Sequence, residues 1–109
     1  MNMNSLRASA FACALVLLAS PAVADRVSIA VTNNTGFAIT QMYLDGAQLA
    51  NYTEERLNGG TIESGSRREF GIESDSSCQY DIYTMTSGGT ASNFRFTIEG
   101  CGSGGVTVN

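Results

Sequence analysis

The sequence predicts an all-β fold: a small, mostly antiparallel β-sandwich of about six or seven strands. Short segments with alternating apolar and polar side chains recur along the chain, separated by turns rich in glycine, asparagine and serine. Two cysteines, Cys78 and Cys101, stand at the outer ends of two such segments that flank a Gly-Gly turn. This arrangement indicates a β-hairpin stapled near its open end by a disulfide.

The first 24 residues are typical of a signal peptide. Arg7 supplies the positive charge, the apolar run from Ala10 to Ala19 is too short to span a bilayer, and Ala22-Val23-Ala24 is an A-x-A cleavage site. We therefore expect cleavage before Asp25 and a periplasmic or secreted protein. An uncleaved membrane anchor is the alternative interpretation.

Residues 25–109 form one domain, and its first two strands are predicted to pair as an antiparallel hairpin. Val27–Thr32 alternates, Asn33–Gly36 is a turn whose Asn and Gly tolerate positive φ, and Phe37–Leu44 resumes a strand. The alternation slips within the second strand. A bulge near Thr40–Gln41 would place four apolar residues on the core face, namely Phe37, Ile39, Met42 and Leu44.

The middle of the chain is less regular. Thr53–Gly59 resembles one helical turn, with Thr53 as its cap, a left-handed stop at Asn58-Gly59, and Tyr52 and Leu57 as anchors in the core. Thr61–Glu63 follows as a short strand.

The last strands are the clearest. Arg67–Ile72 offers Phe70 and Ile72 to one face, and after a polar loop the stapled hairpin begins. Its inward residues are predicted to be Cys78, Tyr80 and Ile82 on one strand and Phe94, Phe96 and Ile98 on the other. Val106–Val108 forms the final strand.

The cysteine count supports the staple. Cys13 leaves with the signal peptide, so the exported domain keeps only Cys78 and Cys101. An even number of cysteines in an exported domain indicates a disulfide. Asp81 lies in mid-strand, where aspartate is disfavoured, so we expect it to have a specific partner, with Arg95 across the hairpin as the candidate.

Several catalytic chemistries are excluded by composition. The chain has no histidine, no lysine and no tryptophan. It therefore lacks the residues for a Ser-His or Cys-His nucleophile pair, a Schiff base, a P-loop or an ordinary zinc site. We expect no enzyme activity and no cofactor. A small carboxylate-dependent hydrolase is an alternative, because a pair of carboxylates can serve as acid and base.

Two further alternatives involve loops. Glu73, Asp75 and Asp81 are close in sequence and offer the hard oxygen ligands that calcium prefers, which suggests a calcium-stabilised interaction module. A protease inhibitor could present residues 85–93 or 73–77. The four tyrosines, Tyr43, Tyr52, Tyr80 and Tyr83, are candidates for a binding face or for packing on the sheet.

Charge limits the partners. Residues 25–109 carry ten carboxylates against five arginines. This net negative charge argues against nucleic acid or an anionic membrane as a partner. No segment of the domain could span a membrane as a helix. We expect the partner to be a protein or a small ligand, and the oligomeric state is left open.

The order of these motifs resembles a family of small exported bacterial β-domains. The matching residues are Asn33-Asn34-Thr35-Gly36-Phe37-Ala38-Ile39, Tyr43-Leu44, Tyr52 with Leu57, Ile62-Glu63-Ser64-Gly65, Cys78-Gln79-Tyr80-Asp81-Ile82, Cys101 and Val106-Thr107-Val108. Members often carry the label argininosuccinate lyase, but this chain is too short for that activity and lacks the histidine and lysine it needs. Arg67-Arg68-Glu69 is more charged than the family pattern, so that strand is expected at a sheet edge.

The resemblance implies a fold and export, and no activity. Together with the composition, it predicts an exported, non-catalytic β-sandwich that acts as a binding or structural protein of the bacterial envelope.

Overall fold

The fold is described from a computed structural model, which covers residues 26–49 and 51–109. The predicted signal peptide, Cys13 and the cleavage site before Asp25 lie outside the described residues. The described chain forms two three-stranded β-sheets whose inner faces share one apolar core. The predicted all-β sandwich is confirmed.

Six strands and one short helix make up the part of the chain that the structure describes. Their bounds are β1 Arg26–Asn33, β2 Ile39–Gly46, β3 Arg67–Glu73, β4 Gln79–Thr86, β5 Ala91–Thr97, a 3-10 helix Glu99–Cys101, and β6 Gly104–Val108. The first sheet has the order β3-β1-β6 and the second has the order β2-β4-β5. The β1–β6 pair is parallel, whereas the other three pairs of these strands are antiparallel.

The predicted hairpin of the first two strands is wrong, because β1 and β2 lie in different sheets. The physical reason is the side chain of Asn33, which is fully buried. Its Nδ2 donates to the carbonyl oxygens of Phe37 and Ile62, at 2.8 Å each, and its Oδ1 accepts from Thr35 N at 2.9 Å. These hydrogen bonds hold the loop in which the chain passes from the first sheet to the second. None of the residues at 33–36 has positive φ, although Asn and Gly would tolerate it.

The predicted bulge in β2 is confirmed. The pairing with β4 shifts register between Ile39 and Gln41, and Ile39, Met42 and Leu44 all face the core. Phe37 does not join them, because it precedes the strand and remains 53% exposed.

The predicted helical turn at 53–59 is absent, because the segment runs along the free edge of β2 instead. Glu55 bridges Tyr43 in an antiparallel sense, and Leu57 is buried in the core. Asn58 and Gly59 do have positive φ, 51° and 86°. The predicted strand at 61–63 is reduced to an isolated bridge between Ile62 and Ile39.

In β4 and β5, the residues predicted to face inward do face the core. Tyr80 and Ile82 of β4 are fully buried, whereas Phe94 and Phe96 of β5 are half-buried at the open edge of the sandwich. The charged strand β3 lies at a sheet edge, as expected.

Cys78 and Cys101 form the predicted disulfide, which joins the start of β4 to the helix after β5. Within the described residues, no helix combines the length and apolar character needed to cross a membrane.

Candidate functional site

Three tyrosines cluster on the solvent-facing side of the second sheet. Tyr43 of β2 and Tyr83 of β4 are directly paired across the two strands, and Tyr52 approaches from the following loop. The ring centroids of the three pairs are 5.9, 6.0 and 6.1 Å apart, and the rings are tilted against one another. These distances fall within the range for favourable aromatic contact. We call these three residues the tyrosine cluster.

Strand alternation explains two members of the cluster and a hydrogen bond holds the third. Because Tyr43 and Tyr83 occupy outward positions between buried neighbours, both must face away from the core. The Tyr52 hydroxyl donates to Asn93 Oδ1 at 2.8 Å, on the adjacent strand β5. Tyr52 itself adopts a left-handed backbone, with φ of 53°. The loop is thereby fixed over the sheet.

The fourth tyrosine has a different role. Tyr80 is inside the core, and its hydroxyl oxygen accepts a hydrogen bond from the backbone amide of Asp75 at 3.0 Å. Of the four tyrosines singled out in the sequence, three therefore form a surface and one ties the loop before β4 to the core.

The outward-facing residues next to the tyrosine cluster along the strands are charged, and we call them the charged row. Asp45, Asp81 and Arg95 stand side by side on β2, β4 and β5. Arg95 pairs with Asp81. Arg56, in the segment 53–59 along the edge of β2, pairs with Asp45, with an Nη2–Oδ1 distance of 2.9 Å. Arg56 also approaches Glu54 Oε2 at 3.3 Å. Two arginines thus sit beside the tyrosine cluster, each held by a carboxylate.

One carboxylate oxygen in this row is unsatisfied. Asp45 Oδ2 is buried and has no hydrogen-bond partner among the described residues, although the other oxygen binds Arg56. A buried acceptor left without a donor costs about 1–3 kcal/mol.

The electrostatic environment of the cluster is negative. Burial is the main cause that raises the pKa of Tyr52, and the negative charges of Asp81 and Asp45 raise it further, while Arg95 opposes them. The negative charges of Asp81 and Asp45 near Tyr52 also attract a cation, while the positive charge of Arg95 opposes it.

A cavity of about 280 Å³ adjoins the charged row. It is lined by both signs of charge: Asp45, Glu54, Glu73, Arg26 and Arg56. A carboxylate-dependent hydrolase would require one of these carboxyl groups to hold a proton. Arg56 instead contacts both Asp45 and Glu54, so these two carboxylates are already engaged in ion pairs. The cavity therefore fits ion pairing with a ligand better than acid catalysis.

The three calcium candidates are used separately by the fold. Glu73 ends β3 and lines the cavity, Asp75 is buried in the following turn, and Asp81 is paired with Arg95. Across residues 26–49 and 51–109, no group of three or more Asp, Glu, His or Cys residues is arranged to hold a metal ion.

Asp75 acts as a structural cap. Its Oδ1 accepts from Ser77 N at 2.8 Å and from Ser77 Oγ at 2.5 Å, and its Oδ2 accepts from Gln48 N at 2.9 Å. Burial alone would raise the pKa of this carboxyl, but the hydrogen bonds from Ser77 and Gln48 outweigh it and lower the pKa. Asp75 therefore joins the 46–48 loop to the turn before β4.

Sequence reasoning did not single out Asp45 or Arg56 as part of a site. Asp45 shares the period-2 phase of Tyr43, so the alternation of β2 carried a signal that it faces outward beside the tyrosines. Arg56 lies in a segment without periodicity, and no local pattern identifies its partners.

Comparison of the chain with known protein families, curated proteins and solved structures finds no match.

Proposed function

We propose that the chain is an exported, non-catalytic binding protein of the bacterial envelope, periplasmic or secreted, that recognises a partner protein through the outer face of its second sheet. The observation that carries the proposal is the tyrosine cluster next to the unsatisfied Asp45 carboxylate. The disulfide supports export, because such bonds persist in oxidising compartments.

Tyrosine is a residue suited to an interface. Its ring gives a large contact area for only two rotatable bonds, and tyrosine is enriched among the residues that dominate binding energy. Here the rings contact one another, and Tyr52 is held by Asn93. Little side-chain freedom remains to be lost on binding, so the surface is preorganised.

The charges indicate what the partner brings. Asp45 Oδ2 lacks a donor among the described residues, and the negative charges of Asp81 and Asp45 lie close to Tyr52. An arginine or lysine side chain would satisfy the carboxylate and lie against the tyrosine rings in a cation–π contact. We infer that the partner presents a basic side chain to this face.

The rival functions have less support. The absence of histidine and lysine from the chain removes most nucleophilic mechanisms, and Arg56 already pairs with two carboxylates of the charged cavity, Asp45 and Glu54. A calcium role would need Asp75 and Asp81 to release the partners they already hold.

A quantitative capture experiment tests the proposal. Immobilised protein is exposed to an envelope extract, and the captured partner is identified and then titrated against purified variants. Tyr83→Ala should weaken its affinity at least tenfold, as expected for a tyrosine in the centre of an interface. High salt should also weaken it. Phe37→Ala is the matched control, an exposed aromatic at the other end of the sandwich. Equal affinity for wild type and Tyr83→Ala, with the fold intact by circular dichroism, would reject this face.

A further inference from the structure

A second cavity opens at the opposite end of the sandwich from the charged cavity. It has a volume of about 350 Å³ and lies where β4 ends and β5 begins, between the two sheets. Thr84 and Thr86 of β4, Ser92 of β5 and Val108 of β6 contribute to its lining, and Phe37 and Asn34 come from the loop after β1. Four further residues complete it. We call this cavity the hydroxyl groove.

One residue that lines the groove has a buried hydroxyl without a partner. Thr84 is 1% exposed, and its Oγ1 has no hydrogen-bond partner among the described residues. The neighbouring Thr86 Oγ1 accepts from the Thr90 amide at 3.2 Å, a bond that leaves the hydroxyl hydrogen of Thr86 free to donate. Since buried polar groups are normally paired, the arrangement indicates a ligand that supplies both donors and acceptors.

The charge of the groove restricts that ligand further. Of its ten lining residues, none has an ionisable side chain, in contrast to the five charged residues of the cavity at the other end. A charged ligand would lose part of its hydration here without gaining a side-chain counter-ion. The groove therefore favours an uncharged ligand.

An aromatic ring stands at the rim. Phe37 is 53% exposed. Its ring packs against Gly88, where an added Cβ would approach Phe37 Cδ2 to 2.8 Å. Gly88 thus sets the position of the ring beside the hydroxyl-lined floor.

From these features we propose that the hydroxyl groove binds a neutral pyranose sugar, either free or as a unit of a longer glycan. A pyranose combines several hydroxyl donors and acceptors with an apolar face of C–H groups. The hydroxyls would pair with Thr84, Thr86 and Ser92, and the apolar face would lie on Phe37. The volume is near the lower end for ligand pockets and suits one or two sugar units.

Amide NMR titration of the whole protein tests the proposal. The probes are glucose, galactose and N-acetylglucosamine, a linear oligomer of glucose and of N-acetylglucosamine, and the charged analogues glucosamine and glucuronate. At least one neutral sugar should produce saturable shifts confined to residues 34–37, 84–92 and 106–109. Saturation by monosaccharides alone indicates a free sugar, whereas tighter binding of oligomers indicates a glycan. Saturation by no neutral sugar at about 20 mM, above the millimolar affinities expected of such sites, overturns the proposal. Equal binding of the charged analogues also overturns it.

Three variants locate the site. Thr84→Val removes the unpaired hydroxyl with little change in shape, so affinity should fall roughly three- to tenfold while the melting temperature holds or rises. Phe37→Ala and Gly88→Ala should also weaken binding, the second by displacing the ring. Tyr83→Ala is the control and should bind sugar normally. Unchanged affinity in both Thr84→Val and Phe37→Ala would place any sugar site elsewhere. Because Tyr83→Ala and Phe37→Ala affect different faces, failure of this site is distinguishable from failure of the protein-binding face.

Discussion

Arg95 reaches across the β4–β5 hairpin and donates two hydrogen bonds to Asp81. The Nε–Oδ1 distance is 2.7 Å and the Nη2–Oδ2 distance is 3.1 Å, a bidentate geometry between residues in direct register. The pair explains an aspartate in mid-strand, because the fork of the guanidinium matches both carboxylate oxygens. The partner expected from the sequence is thereby confirmed.

Asp81→Asn should lower the melting temperature modestly. The Asp81 side chain is only 15% exposed, but that of Arg95 is 55% exposed, so water and salt screen the interaction. A double-mutant cycle with Arg95→Gln measures the coupling by thermal melts at low and high salt. We expect a favourable coupling that shrinks with salt. If the cycle gives no coupling at low salt, the ion pair does not contribute to stability, and a role of Asp81 in binding would be favoured instead.

Much of the fold follows from local pattern. In β4 and β5 the alternation fixes which residues face inward, because a one-residue slip would expose Tyr80 and Phe96 together. The bulge in β2 could be read from the phase slip between Ile39 and Met42. Such features depend on neighbours in sequence, which is why they could be predicted.

The predicted β1–β2 hairpin and the predicted helical turn were wrong because contacts between residues distant in sequence determine the course of the chain there. A turn after a strand usually returns the chain to the same sheet, but Asn33 binds the carbonyl of Ile62, 29 residues away, and redirects it. In the same way, Glu55 accepts a hydrogen bond from the amide of Met42 in β2, a contact between segments that replaces the predicted helical turn. The tyrosine cluster joins residues of three segments, so only their outward phase could be predicted.

Replacing Asn33 tests its role in the crossing between sheets. Asn33→Ala leaves the carbonyl of Ile62 and the amide of Thr35 without that partner in a buried region, so we expect a loss of about 2–4 kcal/mol in the free energy of unfolding. Urea titration measures it. Asn34→Ala is the matched control, an exposed neighbour expected to stay within about 0.5 kcal/mol. Similar values for the two variants would contradict the assigned role.

Glu55 should make stability depend on acid pH. Burial alone would raise its pKa, but hydrogen bonds from the amides of Met42, Leu57 and Asn58 outweigh this and lower the pKa from its ordinary value of 4.5. A lowered folded-state pKa stabilises the fold above the unfolded value and loses that stability as pH falls through the folded value. Melting temperature should therefore fall below about pH 4.5, and less steeply in Glu55→Gln.

That variant should also be less stable at neutral pH, since an amide presents only one acceptor oxygen in place of two. Glu63→Gln serves as the matched control because Glu63 is exposed. An identical pH profile in Glu55→Gln and wild type would show that other carboxyl groups carry the acid sensitivity.

Gly46 is required where the end of β2 meets Asp75. A Cβ at Gly46 would lie 2.7 Å from the Asp75 Cβ, closer than packed atoms allow. Gly46→Ala should push Asp75 from Gln48 and Ser77 and cost about 1–3 kcal/mol. Gly36→Ala is the control, because nothing lies within 4 Å of its added Cβ and its φ is not positive. Equal denaturation midpoints for the two variants would rule out the steric argument.

Removing the disulfide should destabilise the fold substantially. Cys78 and Cys101 are separated by 23 positions, and closing a loop of this length stabilises a fold by about 3 kcal/mol in the chain-entropy account. For a domain of this size the loss corresponds to a fall of roughly 12–24 °C in melting temperature. Reduced wild type and the Cys78→Ser, Cys101→Ser double variant should melt at the same lowered temperature, because both release the same loop. If the reduced and oxidised proteins had the same melting temperature, the hairpin would be held by the packing of β4 and β5 and not by the disulfide.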